Sequence, residues 1–172
     1  PDLLFYGGMD GQGAPMAKQM KTLGLTAKFM GGDGIHTAEF MKLAGPAAEG
    51  VTASLPGVPL DSMPHGPEFK KRFEAKYGVI QLYAPYCYDA MMVVAEAMKR
   101  AGSVESAKFL PEMPKTSHDG VTATIAFDAN GDLTSAAISV YRVEGGIWKL
   151  QRTVGGPAAP APAAAPVAAP VK

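Results

Sequence analysis

Between Leu3 and Leu55 short apolar runs alternate with helical stripes, and few folds satisfy that order at so tight a spacing. Leu3 to Tyr6 is continuously apolar and bounded by Gly7-Gly8, the pattern of an inner strand covered on both faces. A helix is expected next: Pro15 suits a first turn, Met16, Met20 and Leu23 fall on one face, and Gly24 can end it. Lys28-Phe29-Met30 reads as a second strand. Thr37 then caps a short helix to Ala44 with Phe40, Met41 and Leu43 inward, until Gly45-Pro46 breaks it. Val51 to Leu55 is a third strand. Strands and helices alternating in this way build parallel βαβ units, so the fold class is α/β.

The second strand ends in Gly31-Gly32-Asp33-Gly34. Residues without side chains let another molecule approach the backbone, so a carboxylate among them is presented rather than buried. Asp33 is therefore a candidate ligand contact. The alternative is an ordinary polar turn, since Gly and Asp are common turn residues.

Pro56 to Pro64 is proline-rich and aperiodic, an extended connection and candidate hinge. Pro67 opens a helix carrying Phe69, Phe73 and Tyr77, ended by Gly78. Ala84-Pro85 begins the longest helix, to Ala101 with Gly102 as its stop; Tyr88, Met91, Met92, Ala95 and Met98 are its expected apolar face, filling core. Ser106 caps a short helix through Met113. Val121–Phe127 and Ala136–Val143 are β-rich and joined by Asp128 to Asp132, whose Asn130-Gly131 pair predicts a hairpin. The carboxylates there lack the alternate ligand spacing and closing Glu of a calcium loop. Glu144-Gly145-Gly146 turns the chain into a last strand, Ile147–Leu150. Residues 155–172, almost wholly Ala, Pro, Gly and Val, predict a semi-extended, disordered tail.

Sixteen basic and sixteen acidic residues cancel, which leaves no electrostatic footprint for nucleic acid. No run is apolar and long enough to cross a bilayer, and the residues from Pro1 do not show the basic, then apolar, then small-residue pattern of a leader. A chain opening at Pro1, directly into a strand, is expected to be processed or truncated, lacking an amino-terminal half. The lone Cys87 reads as a small buried hydrophobe, and Tyr83, Tyr86 and Tyr88, as an aromatic cluster at helical spacing, read as core. His36, His65 and His118 have no metal-ligand spacing, and GxSxG, Walker A and GxGxxG are all missing, so no catalytic residue, metal or cofactor is assigned.

Tyr6-Gly7-Gly8, Lys18-Gln19, Leu23-Gly24-Leu25 and Phe29 to Gly34 resemble the second half of a branched-chain amino-acid binding protein. These are the leucine/isoleucine/valine-type substrate-binding subunits of ABC importers, with the type I periplasmic binding protein fold. Leu43-Ala44-Gly45, Ala48-Glu49-Gly50, Phe69 to Tyr77, Tyr83 to Ala90, Gly120-Val121-Thr122 and Phe127-Asp128 to Gly131-Asp132 extend the similarity to about Arg152.

The resemblance implies parallel sheets flanked by helices, in parts of two lobes joined by hinge strands. Residues 1–56 would belong to the carboxy-terminal lobe and 57–137 to the amino-terminal lobe, with 138–154 returning as strands to the first. It further implies a periplasmic receptor that closes on a small aliphatic amino acid and presents it to an ABC transporter permease, without enzymatic chemistry. Asp33 would receive the ligand's α-ammonium by a charge-assisted hydrogen bond. Tyr83 would pack against its side chain. Met9 stands where leucine-type proteins commonly carry an aromatic residue, which would reshape the side-chain pocket. The groups that hold the ligand carboxylate would lie in the absent first half. A ligand-sensing regulatory domain on the same fold is the alternative.

Overall fold

The computed structural model describes residues 1–156, so all but the first two residues of the expected tail lie outside the described residues. In chain order the elements are β1 (Leu3–Tyr6), α1 (Asp10–Thr22), β2 (Lys28–Gly31), α2 (Ala38–Ala44), β3 (Thr52–Pro56), α3 (Gly66–Tyr77), α4 (Ala84–Ala101), α5 (Ser106–Phe109), β4 (Ser117–Asp119), β5 (Thr124–Ala126), β6 (Ala137–Glu144) and β7 (Ile147–Gly155). Five strands form one sheet in the order β1-β2-β3-β6-β7, and β4 pairs with β5 alone. The pairs β1·β2 and β2·β3 are parallel, as the alternation of runs requires, while β6 and β7 close the sheet antiparallel.

The pleat sorts side chains by face. Phe29, Ala53, Leu55 and Val143 point to one side, where α1 and α2 bury them with Ala14, Ala17, Met20, Ile35 and Phe40 in one apolar core. α1 contributes small residues here because it lies close to the sheet. A Cβ on Gly13 would sit 3.0 Å from Ile35 and 3.1 Å from the Tyr6 ring. Thr37 caps α2 as expected, its hydroxyl accepting the Phe40 N–H at 2.9 Å.

Several expectations are corrected. β1 is an edge strand, not an inner one, and its second face is uncovered, with Phe5 60% exposed. α1 begins at Asp10, five residues before Pro15 would have opened it. Met9 supplies an extended N-cap, Asp10 an acid in the first turn, and the Gly11 carbonyl that Pro15 leaves without an N–H partner belongs to an exposed residue. Leu23 is then the C-cap, and it is exposed.

On α4 the buried stripe is Pro85, Asp89, Val93 and Ala97, while Tyr88, Met91 and Met92 face outward. Cys87 lies on that open side and is exposed. The Asn130-Gly131 turn forms, with the Asp128 side chain accepting the Asn130 and Asp132 N–H groups. It does not generate the expected hairpin, however. β5 pairs back to β4, β6 pairs with β3 and β7, and a single Phe127–Leu133 bridge is all that flanks the turn. Local turn chemistry was read correctly; partner choice was decided by what each strand could reach.

Candidate functional site

Three parallel strands end side by side, and open α/β sheets bind ligands in the crevice beyond such carboxyl ends. β1 runs into Gly7-Gly8-Met9 before α1, and β2 runs into Gly32 and a 3-10 turn over Asp33–Ile35. The two loops touch. A Cβ on Gly34 would lie 2.7 Å from both the Gly8 carbonyl oxygen and the Met9 sulfur, so only glycine permits that approach. Gly34 and Ile35 are buried beneath, and they hold the half-buried Asp33 at the rim.

Asp33 meets a residue fifty positions away. Tyr83, the N-cap residue of α4, donates its hydroxyl to Asp33 Oδ2 at 2.8 Å. Tyr83 is 42% exposed, which corrects its reading as part of an apolar core cluster. Its hydroxyl pKa is raised, first by burial and then by the hydrogen bond and the negative charge of Asp33, so it stays a donor. Met9 is exposed beside Gly34. The three candidate residues, Met9, Asp33 and Tyr83, thus lie near one another beyond the parallel strand ends, brought there by three different elements.

Two further residues order this site and escaped the sequence reading. Asp10 accepts the Gly11 N–H at 2.8 Å through Oδ1 and the Thr37 hydroxyl at 2.7 Å through Oδ2, tying the first loop to the cap of α2. An acid in the first turn of α1 was the available signal, hidden by placing the helix start at Pro15. His36 follows the Asp33 turn and closes it, its N–H donating to the Asp33 carbonyl at 3.0 Å. Its ring lies against Tyr141 and Trp148, with centroids 4.5 and 4.7 Å away. Burial there lowers its pKa to about 4, so the imidazole is neutral near pH 7. Among the described residues its Nε2 and the Trp148 Nε1 are buried without hydrogen-bond partners. No sequence signal announces that sandwich, because its walls come from β6 and β7.

Such an arrangement can accept and donate hydrogen bonds. It presents one carboxylate, one neutral phenol donor and one flexible thioether. Among the described residues no three His, Cys, Asp or Glu side chains gather as a metal site would require, and no described helix is long and apolar enough to cross a membrane. Two cavities lie elsewhere, one of ≈600 Å³ between α3 and α4 and one of ≈820 Å³ beside the connections between sheet and helices.

A family model described as "Periplasmic binding protein" matches residues 1–147. The chain belongs to that family. Among curated periplasmic binding proteins it is 30% identical over 142 residues to the leucine-, isoleucine-, valine-, threonine- and alanine-binding protein of Pseudomonas aeruginosa, covering 80% of this chain and 37% of that one. It is 31% identical over 148 residues to a Leu/Ile/Val-binding protein homologue of Brucella suis, covering 84% and 39%. The crystal structure of a leucine-binding protein, LivK, from Thermotoga maritima superposes with a TM-score of 0.76 at 28% identity, over 90% of this chain and 45% of that one. The fold is therefore that of type I periplasmic binding proteins, and the chain spans about two fifths of the length of the curated relatives it matches.

Proposed function

We propose that this chain supplies part of the substrate-binding subunit of an ABC importer, a subunit that takes a small aliphatic, branched-chain type amino acid between two hinged lobes. The observation that carries this reading is the meeting of Asp33 and Tyr83 across 2.8 Å at the mouth of the parallel strands. Asp33 receives the α-ammonium beside the Tyr83 hydroxyl, through a charge-assisted hydrogen bond that is shorter and stronger than the one the phenol makes. Tyr83 and Met9 line the space for the side chain, and the thioether of Met9 adapts to its shape. The groups that grip the ligand carboxylate come from the rest of the protein, as does the remaining wall of the crevice.

In this reading residues 1–56 belong to the carboxy-terminal lobe, 57–137 to the amino-terminal lobe, and 138–154 return to the first. The uncovered face of β1 and the outward stripe of α4 at Tyr88, Met91 and Met92 suit that division, since each is apolar and would be costly to leave in water. The closed, loaded form is recognised by a membrane permease from the periplasmic side, and no covalent chemistry is involved. A thermal-shift screen of the full-length protein against the twenty amino acids finds the ligand. Calorimetry on Asp33→Asn then tests the site: affinity falls roughly 100-fold, in keeping with the loss of a hydrogen bond between two charged groups. Unchanged affinity removes Asp33 from the reading.

A further inference from the structure

Two connections join the sheet to the helices, and they run side by side. β3 leaves through Pro56 and Gly57 while β6 begins at Ala137. Pro56 pairs with Ile138, and the Gly57 N–H donates to the Ala137 carbonyl at 2.7 Å. Ser139 is buried, donates its hydroxyl to the Gly57 carbonyl at 2.8 Å, and shares a second hydrogen bond of 2.9 Å with Thr153. Gly57 has a φ of +76°, a conformation that L side chains rarely adopt, and a Cβ there would strike the Tyr86 hydroxyl.

Tyr86 lies in the first turn of α4, and its hydroxyl donates to the Pro56 carbonyl at 2.6 Å. The helix whose cap reaches Asp33 through Tyr83 is thus fastened to the outgoing connection three residues later. Those two points are separated by less than one helical turn, ~5 Å along the axis. A small rotation of α4 about the connections therefore carries Tyr83 toward or away from Asp33.

We propose that Tyr86, through its hydroxyl on the Pro56 carbonyl, is the positioning residue that sets the angle between the sheet and the helical segment and so decides how often Tyr83 reaches Asp33. The connections border the ≈820 Å³ cavity lined by Pro56, Gly57, Tyr86, Val93, Ile125 and Ile138, so directional hydrogen bonds rather than close packing define their angle. Burial pushes the Tyr86 phenol up to about 12, which keeps it a neutral donor throughout the physiological range. The effect on affinity rests on the amino-acid reading above. The effect on geometry does not.

The test uses the full-length protein without ligand, spin-labelled at Lys42→Cys on α2 and Lys99→Cys on α4 in a Cys87→Ser background. Pulsed electron resonance reads the distance distribution. Tyr86→Phe keeps the ring and removes only the donor, and its distribution broadens relative to the parent; Ser139→Ala, which loosens the same connection from the other side, broadens it less. A merely structural role would lower the melting temperature while leaving the distances of the folded population unchanged, and Tyr86→Phe distances that superimpose on the parent's overturn the proposal. In calorimetry with L-leucine, or whichever of the twenty amino acids the parent binds, Tyr86→Phe weakens affinity ~3- to 10-fold, as expected for a neutral hydrogen bond of the closed form. If none of the twenty binds, the amino-acid reading fails while the ligand-free distances still judge the hinge.

Discussion

The contiguous apolar core runs from Ala14 to Leu55 and includes Val143, all of it on the sheet, the two helices packed against it and the turns that join them. Between Gly57 and Ala136 the buried apolar side chains are Met63, Pro85, Val93, Ala97 and Val121, and the most enclosed polar one is Asp89. Asp89 accepts the Val121 N–H at 2.8 Å, the Thr122 N–H at 2.8 Å and the Thr122 hydroxyl at 2.6 Å. Gly120 makes room for it, since a Cβ there would lie 2.7 Å from Asp89 Oδ2. The sheet region is thus ordered by non-directional packing, and the helical region by a carboxylate that clamps a loop onto α4. A chain can build a core from what it holds itself, or it can hold its shape through polar anchors while leaving apolar faces for something else to cover. Here the two strategies meet at Pro56.

The difference can be broken or sharpened by mutation. Phe40 is fully enclosed beside Trp148, so Phe40→Ala should cost the most, ~3–5 kcal/mol by chemical denaturation. A loss under ~1 kcal/mol would show that the sheet region does not depend on its core in the way described. Asp89→Asn keeps the shape but turns an amide donor toward Thr122; it should cost ~2–3 kcal/mol. Hydrogen exchange should place the loss in α4 and the 120–122 loop while the sheet amides keep their protection. Exchange rising equally in both regions would mean that they are not separately ordered.

His36 tests the sheet region by pH. Its folded pKa of about 4 lies below the ordinary 6.5 of an unfolded chain, so the unfolded state binds its proton first. Stability is complete above pH 6.5 and falls as pH drops from there toward 4, by on the order of 2 kcal/mol given its partial exposure. His36→Phe preserves the stack on Tyr141 and Trp148 and should flatten that slope. An unchanged slope would assign the acid sensitivity to other groups. The smallest effect is expected at Met9, exposed at the crevice, where Met9→Tyr should leave denaturation curves within ~0.5 kcal/mol. Thermal-shift ranking of aliphatic amino acids should nevertheless change, and an identical ranking would take Met9 out of the site.

The two regions also differed in how far they could be read from residues alone. In the sheet region the parallel strands, the Thr37 cap and the Glu144-Gly145-Gly146 turn followed from local pattern, because each depends on neighbours in sequence. The place of Asp33 at a strand end was legible for the same reason, marked by the glycines on either side. In the helical region the ends of α3 and α4 were clear from Pro67, Gly78 and Gly102, yet the buried face of α4 was misjudged. Hydrophobicity pointed to Met91 and Met92; burial went to the stripe containing Asp89, since a carboxylate with three donors can be enclosed. The donors belong to a loop thirty-odd residues away, and no periodicity within α4 reveals them.

Sequence by itself determined the elements and their order: apolar runs of strand length, caps and glycine stops, and one acid among glycines at a strand end. Tertiary structure alone decided which strands pair, which face of α4 is enclosed, and that Tyr83 comes within a hydrogen bond of Asp33. The reason is one of range. Caps, turns and periodicity are set by interactions over three or four residues and are written into short segments. Partner choice and the geometry of the crevice depend on groups many tens of residues apart, whose meeting is settled only when the whole sheet and the helix across it have closed on one another.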